Sequence, residues 1–95
     1  MSEIRNLEPK AVWSIFQQLC DIPRPSKKER KAVDFAEKFG KDLGLETIVD
    51  EVGNVIIKKP ATKGMEDRKT VVLQGHLDMV PRANRNINHN FETDP

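Results

Sequence analysis

Thr70-Val71-Val72-Leu73-Gln74-Gly75-His76-Leu77-Asp78 decides how this chain is organised. The run at 71–73 is apolar without the polar alternation of a half-exposed strand, which predicts a strand covered on both faces. Gly75 lets the backbone turn at the strand end, and Pro81 stiffens the exit beyond Met79-Val80. His76 and Asp78 stand two apart, so an extended backbone directs both side chains to the same side. The carboxyl end of a strand in an open α/β sheet is where binding sites collect. An imidazole and a carboxylate there suit either a hydrogen-bonded structural pair at the strand end or a metal centre. One imidazole nitrogen binds the ion, and a carboxylate on the other fixes the tautomer. Asp78 fits either that orienting role or direct ligation.

The segments before this stretch supply the rest of the fold. Asp50-Glu51-Val52-Gly53-Asn54 is turn-forming and separates two short β-branched runs, Thr47-Ile48-Val49 and Val55-Ile56-Ile57, which predicts an antiparallel pair. Ala32, Val33, Ala36, Phe39 and Leu43 recur at helical spacing and form an apolar stripe. That helix is expected to start at Ser26-Lys27-Lys28-Glu29, which has capping-box spacing, and to stop at Gly44. Gly40 costs a little inside it. A first helix is expected from Pro9 to about Cys20, with Val12, Phe16 and Leu19 on one face and Trp13 and Phe16 in the core. Between the helices, Asp21-Ile22-Pro23-Arg24-Pro25 excludes helix and reads as a rigid connector. A polar loop is expected at 61–68 and another beyond Pro81. Two helices followed by three strands of a mixed sheet make an α/β domain that is incomplete as it stands, with residues 1–95 forming one portion of it.

Composition narrows the function classes. Sixteen Lys and Arg against fifteen Asp and Glu give no electrostatic case for nucleic acid or an anionic membrane. No apolar run approaches a membrane span, and the first ten residues lack a signal-peptide core, which favours the cytoplasm. Cys20, the single cysteine, excludes an intrachain disulfide and reads as a small packing residue. The run Lys27, Lys28, Arg30, Lys31 reads as a solvated face, and Asp50 with Glu51 as solvated turn residues. His89 sits in an asparagine-rich loop without a partner at ligand spacing, so it is not assigned to a metal.

Leu73-Gln74-Gly75-His76-Leu77-Asp78-Met79-Val80-Pro81 resembles the first metal-ligand motif of the aminoacyl-histidine (Xaa-His) dipeptidases. Ile22-Pro23-Arg24-Pro25-Ser26 with Glu29, Asp50-Glu51-Val52-Gly53-Asn54-Val55 and Phe91-Glu92-Thr93-Asp94-Pro95 resemble the family's other landmarks in the same order. The resemblance implies the amino-terminal part of a peptidase catalytic domain, two zinc ions, and hydrolysis of dipeptides with carboxy-terminal histidine. It implies His76 as a metal ligand. It implies Asp78 as the active-site residue that orients the imidazole, without being the base. It further implies a homodimeric full-length protein whose bridging aspartate, general-base glutamate and remaining ligands lie downstream of Pro95. Asp94 matches the family's segment before the bridging aspartate rather than that residue. On this reading the 95 residues alone are expected to be inactive, since one histidine and one carboxylate cannot hold a tetrahedral zinc tightly. Two other readings stand beside it. One is another peptidase or deacylase of the same superfamily. The other is a non-catalytic module that associates through an exposed sheet edge.

Overall fold

A computed structural model describes residues 2–84 and 87–95. Met1, and Arg85 and Asn86 of the expected second loop, lie outside the described residues. A 3₁₀ turn, Ser2–Asn6, leads into helices α1 (Lys10–Cys20) and α2 (Arg30–Asp42), then strands β1 (Glu46–Val49) and β2 (Val55–Lys58).

The hairpin forms where the β-branched runs predict it. Thr47 pairs with Ile57, Ile48 with Ile56 and Val49 with Val55, antiparallel. Its turn is built on Asp50. One carboxylate oxygen accepts from the amides of Val52 and Asn54 at 3.1 and 2.8 Å, and the other from the Asn54 side chain at 2.8 Å. The Asn54 side chain, then its amide, hold the Asp50 carboxyl below the usual aspartate range. Gly53, at φ 94°, supplies the left-handed residue that closes the turn.

Helix α2 ends as its glycine predicts. Gly44 adopts φ 73°, its amide donates to Lys41 O at 2.9 Å, and the Leu45 amide donates to Gly40 O at 3.1 Å. This double closure satisfies the last carbonyls of the helix. Its buried face, Ala32, Val33 and Gly40, lies on the hairpin. Gly40 is more than a tolerated weakness. A Cβ there would run into Thr47 Oγ1 and meet Ile57 Cγ1 at 3.0 Å, so its missing side chain sets how closely α2 approaches the sheet.

Three expectations need correction. Helix α2 starts at Arg30, not at Ser26, and its cap position, Glu29, makes no side-chain cap bond. The third strand is not formed. Residues 70–74 have no strand partner, and Val71, Val72 and Leu73 are 78, 83 and 93% exposed. A strand apolar on both faces is held by neighbouring strands and covering layers, and none of the described residues provides them. Trp13 and Phe16 pack edge-to-face with centroids 5.8 Å apart, but Phe16 is 46% exposed and neither ring is fully buried. Gln17 is the buried residue of α1; it donates to Asp21 Oδ1 at 2.7 Å, and Asp21 in turn receives Arg5 from the 3₁₀ turn at 3.1 Å.

The radius of gyration is 16.1 Å, against about 12 Å for a compact domain of this length. The open shape agrees with an incomplete layer of an α/β domain.

Gly40→Ala tests the close approach. Helix propensity alone favours the alanine by about 1 kcal/mol, but forcing a methyl against Thr47 and Ile57 costs about 1–3 kcal/mol. The variant should therefore be destabilised or at best unchanged, measured by urea denaturation. A clear rise in the midpoint would show that the helix and sheet are not pressed together at this position.

Candidate functional site

The connector and the motif, more than fifty residues apart in sequence, meet through a short run of backbone bonds. The Met79 amide donates to Arg24 O at 2.9 Å, and the Ser26 amide donates to Met79 O at 3.2 Å. This is an isolated parallel bridge between Pro25 and Met79. In a parallel bridge the central residue uses neither its amide nor its carbonyl for the pairing. Proline is therefore compatible at position 25, where its lack of a donor has no consequence.

The connector is shaped before it meets the motif. Arg24 turns its guanidinium back onto the end of α1, donating to Leu19 O at 2.8 Å and Ile22 O at 3.2 Å. These bonds tie a carbonyl of the last turn of α1, which also accepts from the Ile22 amide, to one in the connector. Pro25 is buried. Its carbonyl accepts from the Lys28 amide at 2.9 Å, closing a turn in which Lys27 is held at φ 70°. Glycine or asparagine ordinarily occupies such a position, and a lysine there stores about 1 kcal/mol of backbone strain.

That turn redirects Ser26. Its hydroxyl, which the capping-box spacing assigns to the start of α2, donates instead to Asp78 Oδ2 at 2.6 Å. The loss of a serine cap costs a helix about 1 kcal/mol, and α2 begins one turn late without one. Sequence reasoning missed this role of Ser26. The only local signal was the capping spacing, and it pointed elsewhere.

Asp78 uses its second oxygen on His76. His76 Nδ1 lies 3.0 Å from Asp78 Oδ1 and 2.9 Å from the Asp78 carbonyl oxygen. The same-side placement expected from their spacing is therefore what the structure shows. Both partners of Nδ1 are acceptors, so Nδ1 carries a proton and donates, and in the neutral ring this leaves the Nε2 lone pair uncommitted. The Ser26 hydroxyl first, and His76 second, hold the Asp78 carboxyl below the usual aspartate range, so it is ionised at neutral pH. The His76 side chain is 78% exposed and that of Asp78 is 37% exposed. The arrangement presents one oriented imidazole nitrogen to an external electrophile or metal. Gly75 does not make it possible, since an added Cβ there meets nothing within 4 Å.

The neighbouring groove shares the bridge residues but not the His76–Asp78 pair. A groove of about 320 Å³ is lined by Pro23, Pro25, Met79, Val80 and Phe91 among others, and contains neither His76 nor Asp78. His89 faces that groove with its ring 4.7 Å from Phe91, as an aromatic packing residue would. Lys28, from the expected solvated run, pairs with Glu92 at the surface. Among the described residues no three His, Cys, Asp or Glu side chains gather as a metal-binding group, and no helix is long and apolar enough to cross a membrane.

No protein-family model matches the chain. The cytosol non-specific dipeptidase of Escherichia coli is 47% identical over all 95 residues, which cover 20% of that protein. A Pyrococcus furiosus protein named for hydrolysis of LysW-lysine and LysW-ornithine is 36% identical over 66 residues, 70% of this chain and 19% of that protein. In three dimensions the chain matches the crystal structure of an aminoacylhistidine dipeptidase from Vibrio alginolyticus with a TM-score of 0.90 and 44% identity, over 100% of this chain and 20% of that one. The chain thus spans about a fifth of the length of these relatives.

Arg24→Ala should loosen the connector without touching His76 or Asp78. Losing two charged-donor bonds, one to Leu19 O at the end of α1 and one to Ile22 O of the connector, is expected to cost about 1–3 kcal/mol locally. The check is hydrogen exchange at the Met79 amide, which should speed up by about tenfold or more. Unchanged protection would mean that the bridge to Met79 does not depend on Arg24.

Proposed function

This chain belongs to the aminoacyl-histidine dipeptidase family, corresponding to the amino-terminal part of the dipeptidase domain, and from that premise we propose that the full-length protein is a zinc-dependent dipeptidase acting on Xaa-His dipeptides. The observation that carries the reading is the His76–Asp78 pair, 3.0 Å apart, with Nδ1 committed and Nε2 free. A neutral imidazole held in one tautomer by a carboxylate is the form in which histidine binds zinc.

His76 fits as one ligand of such a centre. Asp78 acts through it, fixing the ring and raising its basicity. The donors among these residues amount to one corner, so further ligands and the base that accepts the proton from water are assigned to chain beyond Pro95. A zinc centre supplies polarisation of the scissile carbonyl and a water acidic enough to attack near neutral pH. The 95 residues alone are inactive on this reading. A cytosolic location and a homodimeric full-length protein complete the proposal; the E. coli relative's name supports the location.

Similarity to the P. furiosus protein favours a second reading, in which the same His76–Asp78 corner serves hydrolysis of a different amide. The exposure of Val71, Val72 and Leu73 supports a third, a non-catalytic module that pairs through this segment. Substrate comparison separates the first two, and activity of the full-length protein removes the third.

In the full-length protein a chelator should abolish Xaa-His dipeptide hydrolysis and zinc should restore it, and His76→Ala should lose most of the metal at one site. Metal analysis and kcat/KM measured together decide the matter. A variant with full zinc content and full activity would remove His76 from the centre.

Asp78→Asn separates orientation from ligation. It should retain zinc while lowering activity by about 10- to 100-fold. Wild-type kinetics would rule out the orienting role, and complete loss of zinc would make Asp78 a ligand instead.

A further inference from the structure

We propose that Ser26 is a positioning residue for the His76–Asp78 pair: its hydroxyl fixes the Asp78 carboxylate and, through it, the imidazole tautomer that leaves Nε2 free. The inference deepens the reading of His76 as a metal ligand and rests on it for its catalytic consequence, but not for its geometry.

Ser26 has one hydroxyl proton and two nearby acceptors. Asp78 Oδ2 is at 2.6 Å and Met79 O at 3.4 Å, so the proton is directed to the carboxylate. Asp78 then holds one hydrogen bond on each oxygen, Ser26 on Oδ2 and His76 on Oδ1. The terminal torsion of an aspartate is broad and roughly two-fold. Two donors arriving from different elements restrict it in a way that His76 alone does not. Without Ser26 the carboxylate is free to turn, and Nδ1 keeps only the main-chain oxygen of Asp78 at 2.9 Å as a fixed acceptor.

The serine itself is tightly placed. Its amide is tied to Met79 O, and Arg24 O receives the Met79 amide, so the hydroxyl is held in register with the residue next to Asp78. Two local preferences are given up to keep it there. Helix α2 goes without a side-chain cap, and Lys27 takes a positive φ directly after Ser26. Local rules broken together at one point indicate that another interaction is being satisfied. The interaction satisfied here is the bond from Ser26 to Asp78, across 52 positions of sequence.

The test uses the full-length protein, with histidine labelled by ¹⁵N and the His76 signals assigned by their absence in His76→Ala. In the metal-free wild type, His76 should show one tautomer with the proton on Nδ1. Ser26→Ala should give a mixture of tautomers, zinc affinity reduced by about tenfold, and a fall in kcat with little change in KM. Ser26→Thr, which keeps the hydroxyl, should return all three toward wild type. A purely structural serine would lower the melting temperature without moving the tautomer. Wild-type tautomer and zinc affinity in Ser26→Ala would overturn the proposal. If Ser26→Ala does not fold, the wild type still decides, because a proton on Nε2 in the metal-free protein would overturn it as well. Failure of the ligand reading is distinguishable. It appears as undiminished zinc in His76→Ala, whereas the tautomer shift is read without zinc.

Discussion

The bridge between Pro25 and Met79 is the contact on which the site depends. It joins a connector that local chemistry has already stiffened to a motif that otherwise has no neighbours in the sheet. Two backbone bonds set the register, and the Ser26 hydroxyl then reaches Asp78 at 2.6 Å. A parallel pairing centred on proline is possible because the proline contributes no bond to it. An antiparallel pair at that position would call on a donor that proline lacks whenever it fell at a hydrogen-bonded site. The residue that excludes helix from the connector is thus also compatible with the one pairing the connector makes.

Several features of the sequence act in combination here that look independent when read singly. Arg24 donates to one carbonyl at the end of α1 and one in the connector, and its own carbonyl receives the Met79 amide. Ser26 serves Asp78 instead of α2. Lys27 accepts left-handed backbone, so the chain can leave Ser26 and enter the helix at Arg30. The strain and the missing cap together are of order 2 kcal/mol, which a few well-made hydrogen bonds to a charged carboxylate offset.

What was legible from sequence follows the range of the interaction. Helix α1, the Schellman end of α2 at Gly44 and the hairpin around Asp50 rest on contacts within about five residues, and each forms as its residues predict. The nearness of His76 to Asp78 belongs to the same class, since it follows from a spacing of two residues, although the setting of the carboxylate does not. Ser26 was misread for the complementary reason. A capping box is a local pattern, and the partner that outcompeted it is 52 residues away. Gly40 likewise reads as a small helix penalty until the approach of Thr47 and Ile57 is known.

The run at 71–73 shows the same distinction from the other side. Its apolar residues suit a strand buried on both faces, but such a strand has no stability of its own, because its hydrogen bonds and its burial both come from neighbours. Helix α1 is in a comparable state, with Val12, Ile15 and Phe16 exposed along one face. A chain that spans a fifth of its relatives' length can therefore hold an imidazole in one orientation while the layer that would support it stays open. The corner of the site is made by turn chemistry and one bridge, and the sheet beneath it by long-range pairing. These are separable, and it is the first of them that fixes which nitrogen of His76 is left free.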